Sequence, residues 1–229
     1  MERDEAVKAY LDNQISRRVF IRKLTTAGVS LASALAYADL LVPTSASAAT
    51  VAAPFYADQV WVYDYYFLPS VEHARQGDLV PWSFYGSIPH TVTDSTGMRL
   101  FNSGYQAAGS HFVYGFDAAG AYQYKCADPS HVPMNAVVRV PVKVRPLQGP
   151  PGTTFTVTWS TVAAPAGFVF DVQISRPGQA FQNWVTGTTA RRKTLSPTNL
   201  GRYRFRARLR KLSNNNATGY SPAVEFKVA

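Results

Sequence analysis

The chain has 229 residues, of which 16% are charged and 13% aromatic, with 15 Gly, 15 Pro and one Cys. One cysteine excludes an intrachain disulfide framework, and the Gly and Pro content argues for many short strands and turns over a helical bundle. The net charge of +9 is uneven: residues 49–148 hold six basic and seven acidic side chains, and residues 149–229 hold eleven and two.

Residues 1–48 read as a leader outside the fold. Ser16, Arg17, Arg18, Val19, Phe20 and Ile21 resemble the twin-arginine export motif. An Ala-rich apolar run over 24–42 follows, Pro43 breaks it, and Ala46, Ser47 and Ala48 match a small-residue cleavage site. Asp39 inside the run argues against a stable membrane span. The expectation is an exported protein delivered to the periplasm, cell envelope or exterior. The twin-arginine route carries folded proteins, which suits a cofactor loaded beforehand.

Short strands follow. Residues 60–67 are read as one partly alternating strand ended by Pro69. Gly77 and Asp78 turn into a strand over 79–84, and a further strand begins at His90. His111 to Phe116 alternates with Phe112, Tyr114 and Phe116 on one face, and Ala118 to Gly120 turns into the strand that carries Tyr122, Tyr124 and Cys126. Residues 137–144 alternate valines and close the domain. No segment carries a long helical period, so an antiparallel β-sandwich is predicted.

The chemistry concentrates at the end of the 122–126 strand. Asp128 and Pro129 break the strand, and the loop presents His131 and Met134. Thiolate, imidazole and thioether form a soft ligand set, which favours copper over magnesium, calcium or manganese. Zinc accepts Cys and His readily, but a thioether is a poor zinc ligand. The set lacks one imidazole, and His90, between Pro89 and Thr91, is the upstream candidate.

The second half reads as another sandwich. Pro150, Pro151 and the glycines at 149 and 152 form a stiff linker over 147–152. Residues 154–159 alternate up to Trp159, and Phe168, Phe170, Val172 and Ile174 share one side of a strand. Between Arg202 and Arg210, Tyr203, Phe205, Ala207 and Leu209 face one way, and Arg202, Arg204, Arg206, Arg208 and Arg210 face the other. This row is a solvated strand face, an attraction for anionic envelope polymers or lipid head groups, or a dock for an acidic redox partner. Nucleic acid is not expected, because the strand's aromatics lie on the opposite face and offer no stacking platform.

Several motifs occur in order over roughly 55–145: Phe67 and Pro69; Gly77, Asp78 and Val80; Pro89, His90, Thr91 and Val92; Phe101, Ser103 and Gly104; Phe116, Gly120, Tyr122, Tyr124 and Cys126; His131 and Met134. Together they resemble the cupredoxins, plastocyanin-like proteins in particular. The later region, through Trp159, Tyr203 and the segment 219–222, resembles a fibronectin type III-like module. The resemblances imply an all-β chain: a cupredoxin Greek-key β-sandwich over 49–146, then a fibronectin type III or immunoglobulin-like β-sandwich over 153–229. They also imply one type 1 copper ion, with His90, Cys126 and His131 in a trigonal plane and Met134 as a weak axial ligand. The loop reads Cys-x4-His-x2-Met, where plastocyanins show Cys-x2-His-x4-Met; azurins share the first gap and amicyanin the second.

The expected function is one-electron transfer between Cu(II) and Cu(I) with an unidentified redox partner, and no enzyme activity. A binuclear purple copper site needs a second loop cysteine, and a trinuclear cluster needs His-x-His pairs; the sequence has neither. Copper delivery and a metal-free adhesion role in the envelope are the alternatives. His73 and His111 fall outside the motifs and are expected at the surface.

Overall fold

The computed structural model describes residues 17–26 and 57–229. The described chain is all-β apart from one α-helix and one 3-10 turn, as the strand-and-turn composition predicts. Its strands are β1 (Val60–Tyr63), β2 (Tyr66–Leu68), β3 (Val71–His73), β4 (Asp78–Phe84), β5 (Thr93–Asp94), β6 (His111–Phe116), β7 (Gly120–Lys125), β8 (Asn135–Val140), β9 (Lys143–Arg145), β10 (Gln148–Gly149), β11 (Phe155–Thr158), β12 (Phe168–Ser175), β13 (Gln182–Thr188), β14 (Arg192–Leu195), β15 (Gly201–Lys211) and β16 (Val224–Val228).

The first sandwich is made of two four-stranded sheets, β2-β1-β4-β6 and β3-β8-β7-β5. Alternation on β7 sends Tyr122 and Tyr124 inward. There Tyr124 meets Phe67 at 4.8 Å and Trp82 at 5.5 Å between ring centroids, both edge to face. Trp82 and Tyr124 are fully buried, and aromatic contacts of this kind add about 0.5–1.5 kcal/mol each beyond area burial. This packing sits two residues before Cys126 and fixes the end of β7.

The second sandwich sets β14-β11-β9 against β10-β16-β15-β12-β13. Its core centres on Phe155, Trp159, Phe205 and Phe226. The Trp159 indole donates to Ala190 O at 2.6 Å, so its one polar atom is satisfied.

Three local readings change. Residues 60–67 are not one strand but a hairpin: Tyr63 pairs with Tyr66, leaving Asp64 and Tyr65 as a two-residue turn with Tyr65 at φ 69°. Tight hairpin turns require positive φ, which Tyr rarely supplies, so the sequence carried no glycine or asparagine signal. Residues 137–144 are not one strand either. Pro141 interrupts them, β8 stays in the first sandwich, and β9 pairs with β11, with Val142 and Val144 in the second core. The segment read as a linker contributes β10, which pairs parallel with β16.

The two sandwiches touch directly. Ala119 N donates to Trp159 O at 2.7 Å, and Ala121 and Gly219 exchange backbone hydrogen bonds of 2.9 and 3.0 Å. The Gln76 side chain bonds both Pro141 O and Thr158 O, at 3.0 and 2.9 Å.

Arg17–Thr26 forms the helix α1, which packs on β6. Phe20 and Leu24, four residues apart and so on one helical face, are buried, and Arg22 pairs with Asp117 at 3.0 Å. The expectation that residues 1–48 stay outside the fold fails for this segment. The cleavage motif and most of the apolar run lie outside the described residues. Among the described residues, no helix is long and apolar enough to cross a membrane.

Candidate metal centre

Cys126 follows β7 on the same inward-facing row as Tyr122 and Tyr124, and it is 4% exposed. The loop beyond is wound tight. Asp128 caps the 3-10 turn Pro129–His131, its Oδ1 accepting from Ser130 N at 2.9 Å and Ser130 Oγ at 2.6 Å. Those bonds from Ser130 hold the Asp128 carboxyl below its usual range. Met134 N donates to His131 O at 2.8 Å, and Cys126 N to Met134 O at 3.1 Å, which closes the loop on itself. His131 is thereby returned over the sulfur, with Nδ1 3.4 Å from Sγ. Met134 is buried in the same packed cluster as Cys126.

His90 arrives from the other direction. It forms an isolated antiparallel bridge with Gln106, through N–H···O bonds of 3.0 and 2.8 Å. Its neighbour Thr91 ties the two segments together. Thr91 N donates to Cys126 Sγ at 3.4 Å, and Thr91 Oγ1 accepts from Ala127 N at 2.7 Å.

One donor atom each from His90, Cys126 and His131 lies within 4.8 Å of the other two, and all three residues are buried. His90 Nε2 lies 2.9 Å from Asp64 Oδ1. A carboxylate only accepts, so the neutral ring carries its proton on Nε2 and keeps a lone pair on Nδ1. That Nδ1 is buried and has no hydrogen-bond partner among the described residues. An orphaned buried nitrogen is costly to leave unmet. Three trigonal ligands at bond lengths of about 2.0–2.3 Å stand roughly 3.5–3.8 Å apart, so the cluster fits a metal ion. Thiolate and imidazole together select a transition metal or zinc over the oxygen-loving cations.

Asp64 and Tyr65 belong to the site and went unrecognised in the sequence. Asp64 Oδ2 accepts from Ser87 N at 3.1 Å and Ser87 Oγ at 2.7 Å. Hydrogen bonding from His90, then from Ser87, holds the Asp64 carboxyl far below the usual carboxylate range. The Tyr65 ring meets His131 edge-on at 5.2 Å. An acidic residue within what reads as a strand, 26 positions before a candidate ligand, was the only sequence signal.

His73 and His111 are exposed and lie apart from the cluster; His111 Nδ1 sits 2.7 Å from Ser83 Oγ. The arginine row of β15 is more than a solvated face. Arg208 Nε and Arg210 Nε reach Asp171 Oδ2 at 3.1 and 2.8 Å, with the Asp171 side chain 4% exposed. Burial pushes the Asp171 carboxyl up, but the bonds from Arg210, Gly187 N and Arg208 outweigh it and leave it below its usual range. Arg206 bonds Gln173 at 2.9 Å, Arg204 bonds Ser175 at 3.2 Å, and Arg202 pairs with Glu225. Aromatics from other segments interleave. Arg206 lies 4.2 Å from the Phe181 ring centre and 4.6 Å from that of Tyr220, and Arg208 lies 4.8 Å from Tyr220. The strand's own alternation could not show these two rings.

No family model matches the sequence, and no curated protein matches it. Among solved structures, a novel purple cupredoxin from Nitrosopumilus maritimus is similar at 27% identity, over 36% of this chain and 97% of that one, with a TM-score of 0.32. A reduced Cu(I) form of an amicyanin mutant is similar at 22% identity, over 43% of this chain and 94% of that one, with a TM-score of 0.34. An oxidised amicyanin mutant is similar at 22% identity, over 36% and 79%, with a TM-score of 0.33.

Proposed function

We propose that this chain is an exported cupredoxin-type copper protein that passes single electrons between partner proteins. The observation that carries the reading is the buried Nδ1 of His90, without a hydrogen-bond partner among the described residues, in a residue that clusters with Cys126 and His131. His90, Cys126 and His131 would hold the ion, with Met134 as the fourth and weaker ligand. Copper bound there supplies a one-electron couple and, through the thiolate, an intense visible absorption.

The residues around the site do the rest. The 126–134 loop closes on its own backbone and the aromatic core grips Tyr124, so the donors hold one arrangement. A site that does not rearrange between two oxidation states lowers the reorganisation cost of electron transfer. Thr91 N–H donates toward the sulfur and tempers its charge. Tyr65 shields the His131 ring from water while itself remaining 59% exposed. Near-complete burial of all three donors favours retention of the metal over its delivery to another protein.

Export by the twin-arginine route belongs to the same reading and rests on Arg17, Arg18 and the small-residue motif at 46–48. Contact of the arginine row with an acidic redox partner or an anionic envelope surface is part of it too. Arg202 and Arg204 are the members of that row most open to such a contact.

The test is an optical spectrum of the full chain titrated with Cu(II). A strong visible band with one-to-one stoichiometry, absent in Cys126→Ser, is the expected result. A colourless copper complex overturns the reading. Rapid transfer of the metal to a chelator after reduction would favour copper delivery.

A further inference from the structure

We propose that Asp64 is a positioning residue of the metal centre. Its carboxylate fixes the His90 ring so that Nδ1 stays available as a ligand, and its charge favours the more positive state of the bound ion. This rests on the copper reading above.

The hairpin between β1 and β2 places Asp64 against the 86–90 loop. Oδ1 takes His90 Nε2 at 2.9 Å and Ile88 N at 3.4 Å; Oδ2 takes the amide and the hydroxyl of Ser87. Both carboxylate oxygens are therefore engaged, and every partner comes from the loop that ends in the ligand. The fit is close. A Cβ at Gly86 would overlap Asp64 Oδ1 and the His90 ring, so only glycine permits this approach. The next residue, Tyr65, touches the other imidazole, with its ring at 83° to His131. One two-residue turn thus bears on both candidate histidine ligands.

A ligating imidazole can rotate about its last torsion and can exchange tautomers. A hydrogen bond from its second nitrogen to a carboxylate removes both freedoms and raises the basicity of the ligating nitrogen. Loss of such a partner commonly lowers metal affinity 10–100-fold. The carboxylate also adds a full negative charge near the ion, and Coulomb attraction stabilises Cu(II) over Cu(I). Removing the charge while keeping an acceptor oxygen separates these two effects.

The experiment compares the full-length wild type with Asp64→Asn and Asp64→Ala. In the metal-free protein, 15N chemical shifts report the His90 tautomer. Affinities for Zn(II) and Cu(II) are measured by chelator competition, and the reduction potential by redox titration. Wild-type His90 is expected as the Nε2–H form, retained in Asp64→Asn and lost in Asp64→Ala. Affinity for both metals falls about 10–100-fold in Asp64→Ala. In Asp64→Asn the potential rises, because Cu(II) loses more stabilisation than Cu(I). An unchanged tautomer together with affinities within threefold of wild type in Asp64→Ala overturns the proposal. Should that variant not fold, a potential in Asp64→Asn equal to or below the wild-type value overturns it equally. If wild-type protein takes up Cu(II) without a visible band, the copper reading fails alone, and the tautomer and Zn(II) measurements still decide the role of Asp64.

Discussion

Thr91 joins the two halves of the site: its amide donates to Cys126 Sγ at 3.4 Å, and its hydroxyl accepts from Ala127 N at 2.7 Å. The residue next to one candidate ligand thereby fixes the residues around another. The two bonds differ in what a substitution removes. Thr91→Val keeps the amide and deletes the hydroxyl, so Ala127 N–H loses its partner in a partly buried position. The cost is about 1–3 kcal/mol, read as a lower melting temperature of the metal-free protein. The visible band of the copper-loaded variant persists, because the nearer donor to sulfur is the backbone amide at 3.4 Å, while the hydroxyl stands 4.0 Å away. Loss of the band at unchanged stability would show that the hydroxyl, not the amide, governs the sulfur.

Gly86 gives a second prediction. Its missing side chain is what allows Asp64 Oδ1 and the His90 ring to meet. Gly86→Ala forces those groups apart while the sandwich cores, which do not include residue 86, stay packed. Copper affinity should fall by at least tenfold, with thermal stability of the metal-free protein little changed. Equal affinity measured by chelator competition would mean that the loop yields without cost to the site.

The parts of this protein that were legible in its sequence are local. Period-two alternation gave β6, β7, β12 and β15, and Cys126, His131 and Met134 share one nine-residue loop whose donors are close by covalent necessity. His90 was a candidate only as the imidazole that the loop set lacked, and the resemblance of its surrounding motif singled it out; no spacing rule links it to Cys126. Asp64 was hidden for a different reason. Val60 and Val62 begin an alternation that runs on through aromatic residues, so the Asp64–Tyr65 turn looked like strand. Its turn lacks glycine, and its partner lies 26 residues away. Phe181 and Tyr220 were hidden likewise: a strand's pattern shows which way its own residues face, not what other segments lay against it.

Glu72 supplies a pH dependence. It is 3% exposed on β3, and burial, then the charge of Asp58, push its carboxyl up to about 7 from a reference value of 4.5. An acid whose folded value lies above its unfolded value disfavours folding once it ionises. Stability from this group is therefore whole below about pH 4.5, declines as the pH rises, and levels off above about pH 7. Glu72→Gln should raise the melting temperature at pH 8 and leave it unchanged at pH 4. A constant difference across that range would place the effect in packing instead of charge.

Asp171 behaves with the opposite sign. Its folded value is depressed, so its contribution is present above the ordinary carboxylate range and is lost as acid protonates it. Asp171→Asn leaves Arg208 and Arg210 with a neutral partner and weakens three charge-assisted hydrogen bonds. A bond of that kind contributes about 1.5–3 kcal/mol, and the arginines are partly solvated, so a total loss near the lower end is expected at pH 7. The melting temperatures of variant and wild type should converge as acid protonates Asp171, below the ordinary carboxylate range. The same arrangement governs how a docking role for the arginine row can be examined. Arg206 and Arg208 stack on Phe181 and Tyr220, and replacing them disturbs the sandwich itself. Arg202, whose side chain is 71% exposed and paired with a surface glutamate, can change to Ser with a stability effect under about 1 kcal/mol. Salt-sensitive retention on anionic vesicles of phosphatidylglycerol should then drop in Arg202→Ser at constant melting temperature. Unaltered retention would rule out Arg202 as a contact with an anionic lipid surface.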